Sequence, residues 1–223
     1  MTHLFDRIPE SVFRLFSGVI ITTLFAIILF PLYFMVTTAF KFESEIYSEL
    51  TWIPRDPTLS NFRDVIVNFR IPQYLYNTSI VAFSTTAIVV VISVLASYSL
   101  TRLRFPGRAA MARGVLFVYL IPGSLMLIPV YLIIVKIGLK DTFPGLIIAS
   151  MSFSVPFCTW LMMGYLRTLS SEIEEASLID GCTRMQSLWH IVIPLSVPAI
   201  VTASIFTFNN VWNEYIFALV LAQ

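Results

Sequence analysis

Charge is scarce in this sequence. Only 12% of its 223 residues are Asp, Glu, Lys or Arg, and the formal net charge is +1. The cations are spread over loops rather than gathered into a patch, so nothing electrostatic points to nucleic acid. Histidine is nearly absent too: His3 and His190 are the only two. No HExxH metal pair and no GxxxxGK[ST] phosphate loop occurs, so a nucleotide driving this protein has to be bound by another subunit. The two cysteines, Cys158 in an apolar run and Cys182 in a polar stretch, imply no disulfide framework. Residues 18–40, 79–100, 114–135 and 143–166 hold no Asp, Glu, Lys, Arg or His. Proton-coupled carriers and intramembrane catalysts need such groups within the membrane, which argues against both classes.

Apolar surface, by contrast, is abundant. Hydrophobic residues make up 57% of the chain, nineteen residues are Phe, and mean hydropathy is +0.84. These values lie outside the range of soluble domains. Uncharged, mainly apolar runs at 18–40, 79–100, 114–135, 143–166 and 191–213 each reach the roughly 20 residues a helix needs to cross the hydrocarbon core. The sequence therefore predicts an all-α integral membrane protein in contact with lipid, with five transmembrane helices forming a single domain over 1–223. The first run is too long for a signal-peptide core and no small-residue cleavage site follows it, so it is read as a retained helix.

Arginine sets the orientation. The connection TRLRFPGRAAMAR carries Arg102, Arg104, Arg108 and Arg113 with no acid, which places it on the cytoplasmic side. Arg7 and Arg14 ahead of the first run agree. The N-terminus is then cytoplasmic, 41–77 and 136–142 external, and 167–194 cytoplasmic. The external loop mixes Lys41, Arg55, Arg63 and Arg70 with Glu43, Glu45, Glu49, Asp56 and Asp64. A short helix is expected there at 59–69, capped by Thr58 or Ser60; the loop reads as a docking cap or as a tether. Prolines inside the runs, Pro31, Pro122, Pro129, Pro144 and Pro156, each remove a backbone donor and open the helix locally.

The cytoplasmic stretch SEIEEASLIDGCTRMQSLWHIVIPLSVP, residues 171–198, concentrates Glu172, Glu174, Glu175 and Asp180 between two apolar runs. Ser171 and Glu174 have capping-box spacing, which predicts a helix start, and the acids fall where the positive end of the helix dipole favours them. The helix should run to about Asp180, because Gly181 can take the left-handed conformation. Thr183 and Gln186 repeat the capping spacing, so a second helix should start at about Arg184 and turn or break near Pro194. Ile173, Ala176, Ser177, Leu178 and Ile179 leave a small or apolar stripe beside the acids, against which something packs: the membrane surface or a protein partner.

Glu175-Ala176-Ser177, then Gly181 three residues on, then Ile191-x-Ile193-Pro194 after nine more, resembles the EAA signature of ABC importer permeases, E-A-A, three residues, G, nine residues, I-x-L-P. Ser177 replaces the second Ala and Ile193 the Leu. With EEASLIDG and FNNVWNEYIFAL at 208–219, the resemblance extends to the carbohydrate-uptake branch, in particular the second permease of maltose-type systems. It implies a protein of the bacterial or archaeal cytoplasmic membrane, working with a second permease, an ATPase dimer and an external solute-binding protein. It also implies that this chain is not an enzyme and holds no cofactor, ATP and Mg being bound by the ATPase. In this family the loop is a coupling helix docked into the ATPase. Carried over, Glu175 is the acidic anchor, Ala176 and Ser177 are the small seat, Asp180 and Gly181 form the turn, and Ile191, Ile193 and Pro194 lead into the fifth span.

At the far end of that span, Asn209, Asn210, Trp212, Asn213 and Glu214 combine amides, a carboxylate and an indole, a set suited to a sugar but also to an interfacial belt. The expectation is a permease that imports a mono-, di- or oligosaccharide. The alternatives are a permease for another polar solute, such as a glycerol-phosphate ester, or a non-conducting scaffold. Five spans put Gln223 at the outer side, whereas the resemblance implies a sixth span, so the chain is expected to lack that last helix.

Overall fold

The computed structural model describes residues 10–48 and 50–221. His3, Arg7, Glu49 and Gln223, invoked above, lie outside them. The described chain is helical throughout, with no strand among the described residues, and divides into two compact units, 1–74 and 75–223.

In the first unit, α1 (Glu10–Ala39) is a 30-residue helix whose apolar side chains are exposed almost without exception. Such a helix is stable only where lipid replaces water. Two short helices follow, α2 (Glu43–Ser48) and α3 (Ser60–Val67). Helix α3 falls within the expected 59–69. Its cap residue is Leu59, and Thr58 instead reaches across to accept from the Ser60 amide (3.1 Å). The loop is tied back onto the end of α1. The Tyr33 hydroxyl donates to Trp52 O (2.8 Å), the Lys41 ammonium to Thr51 O, and the Asn61 amide to Ala39 O and Lys41 O (3.0 and 2.7 Å). Glu45 accepts from the Thr51 hydroxyl and the Arg55 amide. The Thr51 bond above all holds its carboxyl below the usual carboxylate range,. The loop is thus an ordered cap on α1 rather than a slack tether.

The second unit begins within α4 (Ile71–Arg102) and continues through α5 (Arg108–Tyr119), α6 (Gly123–Lys136), α7 (Phe143–Leu166), α8 (Ser171–Ile179), α9 (Arg184–Ser187), a π-helical turn (Leu188–Val192), α10 (Ile193–Leu195), α11 (Val197–Trp212) and α12 (Ile216–Leu221). Among the described residues three helices are long and apolar enough to cross a membrane: 13–39 of α1, α4 and α7. The stretch from Arg184 to Trp212 makes a fourth if its two halves, bent by 74° at Ser196, count as one span. The expected third span, 114–135, is not continuous. Pro122 has no amide to give α5 and biases Ile121 away from helical geometry. Helix α5 therefore ends at Tyr119, and Pro122 becomes the first residue flanking α6. Pro144 breaks nothing, since it lies in the first turn of α7, where no donor is needed,.

Helix α7 is the centre of this unit, packed by α5, α6, α11 and α12. Its Cys158, Met162 and Leu166 meet Val89, Val94 and Tyr98 of α4, Ala199 and Ala203 of α11, and Leu188 and Val192 of the π turn. Small residues permit the approach: Ala199, Ala203 and Thr207 recur every fourth position of α11 and are all buried. In lipid, where no hydrophobic force separates helices from their surroundings, such close contacts and Ser/Thr hydrogen bonds hold a bundle together. The Cys158 thiol lies 3.0 Å from the Thr207 hydroxyl, and Thr159 donates to Ser93 (3.4 Å). Both cysteines are free.

At the start of α7, the Thr142 hydroxyl accepts from the Gly145 amide and donates to Leu139 O. A Cβ on Gly145 would sit 2.1 Å from Leu139 O, whereas one on Gly164 of the same helix would meet nothing within 4 Å. Gly145→Ala should therefore cost about 1–3 kcal/mol, as overpacking does. Thermal melting of the detergent-purified protein checks this, with Gly164→Ala expected at the parent temperature. Equal melting for both variants would contradict the close approach.

Candidate functional site

The hairpin between α7 and α11 starts at Ser170, one residue before the expected cap. Ser170 has extended geometry (φ −60°, ψ 132°), and its hydroxyl accepts from the Glu172 amide at 3.2 Å, which leaves Ser171 as the first helical residue. Glu174 does not reach back to the cap. It turns into the protein, only 6% exposed, where one carboxylate oxygen accepts from the Tyr98 hydroxyl of α4 at 2.5 Å and the other lies 3.3 Å from Arg102 Nε. Arg102 in turn donates through Nη2 to Leu166 O and Leu169 O (3.0 and 2.8 Å). One guanidinium thus joins the end of α4, the end of α7 and the inner side of α8.

Ser177, one turn after Glu174, is also buried, and its hydroxyl donates to Ser187 Oγ at 2.8 Å. Its small size serves contact with the hairpin's own second strand of helix, not the outward seat expected for it. The outward side of α8 carries Glu175, Ala176, Ile179 and Asp180, with Ile179 86% exposed. The structure therefore divides two adjacent glutamates between opposite tasks: Glu174 faces inward and Glu175 outward.

The turn follows the sequence closely. Gly181 has φ +92°, a value that strains any residue with a Cβ. It lets Cys182 N bond Ser177 O (3.0 Å) and Gly181 N bond Leu178 O (3.2 Å), the paired bonds of a Schellman ending. Thr183 and Gln186 form the expected capping box, with Thr183 N to Gln186 Oε1 at 2.8 Å and Gln186 N to Thr183 Oγ1 at 3.3 Å. Helix α9 begins at Arg184 as anticipated, widens into the π turn, and breaks at Ser196, two residues beyond Pro194. The Tyr165 hydroxyl donates to Leu195 O (2.9 Å) at the bend. Ile191 and Ile193 are half-buried and Pro194 exposed in this ascending arm, so the eight residues read as a coupling interface do not share one face.

At the far end, Glu214 accepts from the Phe217 amide at 2.9 Å and so caps α12, a helix the sequence reading missed. Asn213 Nδ2 donates to Asn209 O (2.8 Å), and Trp212 stacks on Phe208 with centroids 5.4 Å apart. Asn209, Trp212 and Asn213 are exposed, while Glu214 and Asn210 line a small cavity of about 120 Å³ with Ser150 and Ser154 of α7. The two serines stand one turn apart, with Ser152 between them, in a mostly apolar helix, and that i, i+4 spacing was the available signal.

Residues 89–223 match the family of the binding-protein-dependent transport system inner membrane component. The chain belongs to that family. The match takes in α8, its turn and the ascending arm, so the resemblance read from the EAA spacing holds, and this permease has its hairpin where the family signature lies. It is 34% identical over 192 residues to the sulfoquinovosyl glycerol transport system permease of Agrobacterium fabrum, covering 86% of this chain and 67% of that protein. It is 31% identical over 209 residues to the diacetylchitobiose uptake system permease of Streptomyces coelicolor, covering 93% and 76%. The permease fold also matches a chain of a bacterial ABC transporter involved in the import of the acidic polysaccharide alginate, with TM-score 0.81 at 24% identity over 100% of this chain and 78% of that one.

Removing one partner of a buried ion pair strands the other, at about 3–5 kcal/mol, and losing a hydrogen bond to a charged group costs about 1.5–3 kcal/mol. Glu174→Ala should therefore lower the melting temperature of the purified permease most, Tyr98→Phe less, and Glu175→Ala by no more than an ordinary surface change of about 0.5 kcal/mol. Equal losses at 174 and 175 would contradict the inward and outward assignment.

Proposed function

We propose that this chain is the membrane-spanning subunit of an ATP-driven importer that carries a sugar into the cytoplasm. Its N-terminus and the 167–194 segment are cytoplasmic, and the outward side of α8 docks into a separate ATPase dimer that binds ATP and Mg. A second permease completes the pathway, and an external solute-binding protein delivers the sugar. The observation that carries the reading is the hairpin itself. It is short and closed at both helix ends by hydrogen bonds. It is locked inward by Glu174 and Ser177, and it offers Glu175, Ala176, Ile179 and Asp180 to a partner.

Such an element behaves as a stiff projection. A carboxylate beside exposed apolar and small residues suits a socket with a cation at its rim and a close apolar floor. Substrate class is supported by the relatives' names, two of which specify glycosides or amino-sugar oligomers. At the external end, Asn209, Trp212 and Asn213 are exposed and fit hydroxyl and ring-face contact, whereas Glu214 is engaged as a cap.

Glu175→Lys reverses the charge of an exposed side chain that also borders the cavity of Arg104 and Arg184. It should lower melting far less than Glu174→Ala yet reduce ATPase co-purification and labelled-sugar uptake about tenfold or more, the scale of losing a charge pair within an interface. Gly181→Pro should abolish both, since proline cannot take φ +92°,. Wild-type assembly and uptake in Glu175→Lys would show that the hairpin's outward side is not the docking surface.

A further inference from the structure

The sequence continues from α8 into the membrane by two covalent routes, and both contain breaks. Towards α7 lies the non-helical connection 167–170. Towards α11 lie the Gly181 turn, the π turn and the 74° bend at Ser196. Each interrupts the regular i→i−4 ladder that makes a helix stiff. The lateral contact has no such interruption. Glu174 Oε1 is held by Tyr98, Glu174 Oε2 lies beside Arg102 Nε, and Arg102 Nη2 grips Leu166 O and Leu169 O. Side-chain exposure is 7% for Glu174 and 14% for Arg102, so the two charges, which meet as an ion pair without a hydrogen bond between Nε and Oε2, are largely withdrawn from water. A cavity of about 530 Å³ lies alongside, lined by Arg104, Glu175 and Arg184 as well as Arg102 and Glu174, so the pair stands at the seam between α8 and the α4–α5 connection.

Resting on the coupling reading above, we infer that Glu174, Tyr98 and Arg102 are positioning residues that make α8 and the cytoplasmic ends of α4 and α7 one rigid body. A displacement imposed on α8 by the ATPase then reaches α4 through this junction, not along the backbone. Glu175 contacts the partner, and Glu174 transmits the movement.

The test is a distance measurement by paired spin labels in the assembled importer, purified through this chain. Labels are placed at Ser171→Cys, the first residue of α8 and outside the docking side, and at Val91→Cys on α4, both exposed positions, in a Cys158→Ser, Cys182→Ser background. In the otherwise wild-type chain the 171–91 distance should stay within about 2 Å between nucleotide-free and ATP–vanadate-trapped states, less than the larger shifts of allosteric helices. In Glu174→Met with Arg102→Met, which removes both charges together and so strands neither, trapping should shift that distance by about 4 Å or more, or broaden it to that width. A shift of that size without the substitutions, or a double variant that behaves as the parent, overturns the inference. Failure of the underlying coupling reading is seen separately, as absence of the ATPase from the purified wild-type complex, and would overturn both.

Discussion

A carboxylate withdrawn from water at the end of an apolar helix bundle has to be met by a cation and a hydrogen-bond donor, and Glu174 is met by both, from one helix, four residues apart. The rest of that end of the bundle depends on that constraint. Because Tyr98 and Arg102 occupy one face of α4, α8 can sit against it in one rotation only. That rotation turns Ser177 towards Ser187 and leaves Glu175, Ala176 and Ile179 outside. Arg102 satisfies two carbonyls at the end of α7 in the same stroke, groups that a helix terminus would otherwise leave to water.

The membrane portion obeys a different rule. With no charged side chain from 143 to 166, α7 is gathered to its neighbours by small residues and hydroxyl or thiol contacts, as between Cys158 and Thr207,. Such contacts hold helices close without the desolvation cost of ions. The interior of α7 is therefore polar only in small, neutral steps, and the buried Glu174–Arg102 ion pair lies at the end of the bundle, beyond the apolar part of that helix. That arrangement fits a machine whose membrane helices shift while its partner-facing end keeps its shape.

Local chemistry was legible in the sequence where it was decided locally. Gly181, the Thr183–Gln186 box and the start at Arg184 depend on residues within one or two turns, and all appear as read. The cap at Ser170 rather than Ser171 shows the limit. Two consecutive serines offer the same hydroxyl, and what chose between them was the burial of Glu174 against a tyrosine 76 positions away. That partner leaves no trace in spacing. Hydropathy failed differently: it sums apolar content without regard to direction, so 114–135 read as one span although Pro122 stood in it, while the break expected near Pro194 falls at Ser196, with a bend of 74°. Helix α12 was overlooked because its cap, Glu214, looked like a ligand contact.

The central claim, that the Glu174–Arg102 pair locks the hairpin onto the bundle, is tested most directly by a double-mutant cycle in thermal melting of the purified chain, using Glu174→Met, Arg102→Met and the two together. Each single substitution strands a buried charge, while the pair of substitutions strands none. The account predicts that both single variants melt well below the parent and that the double variant recovers most of the loss. Losses that simply add would contradict it.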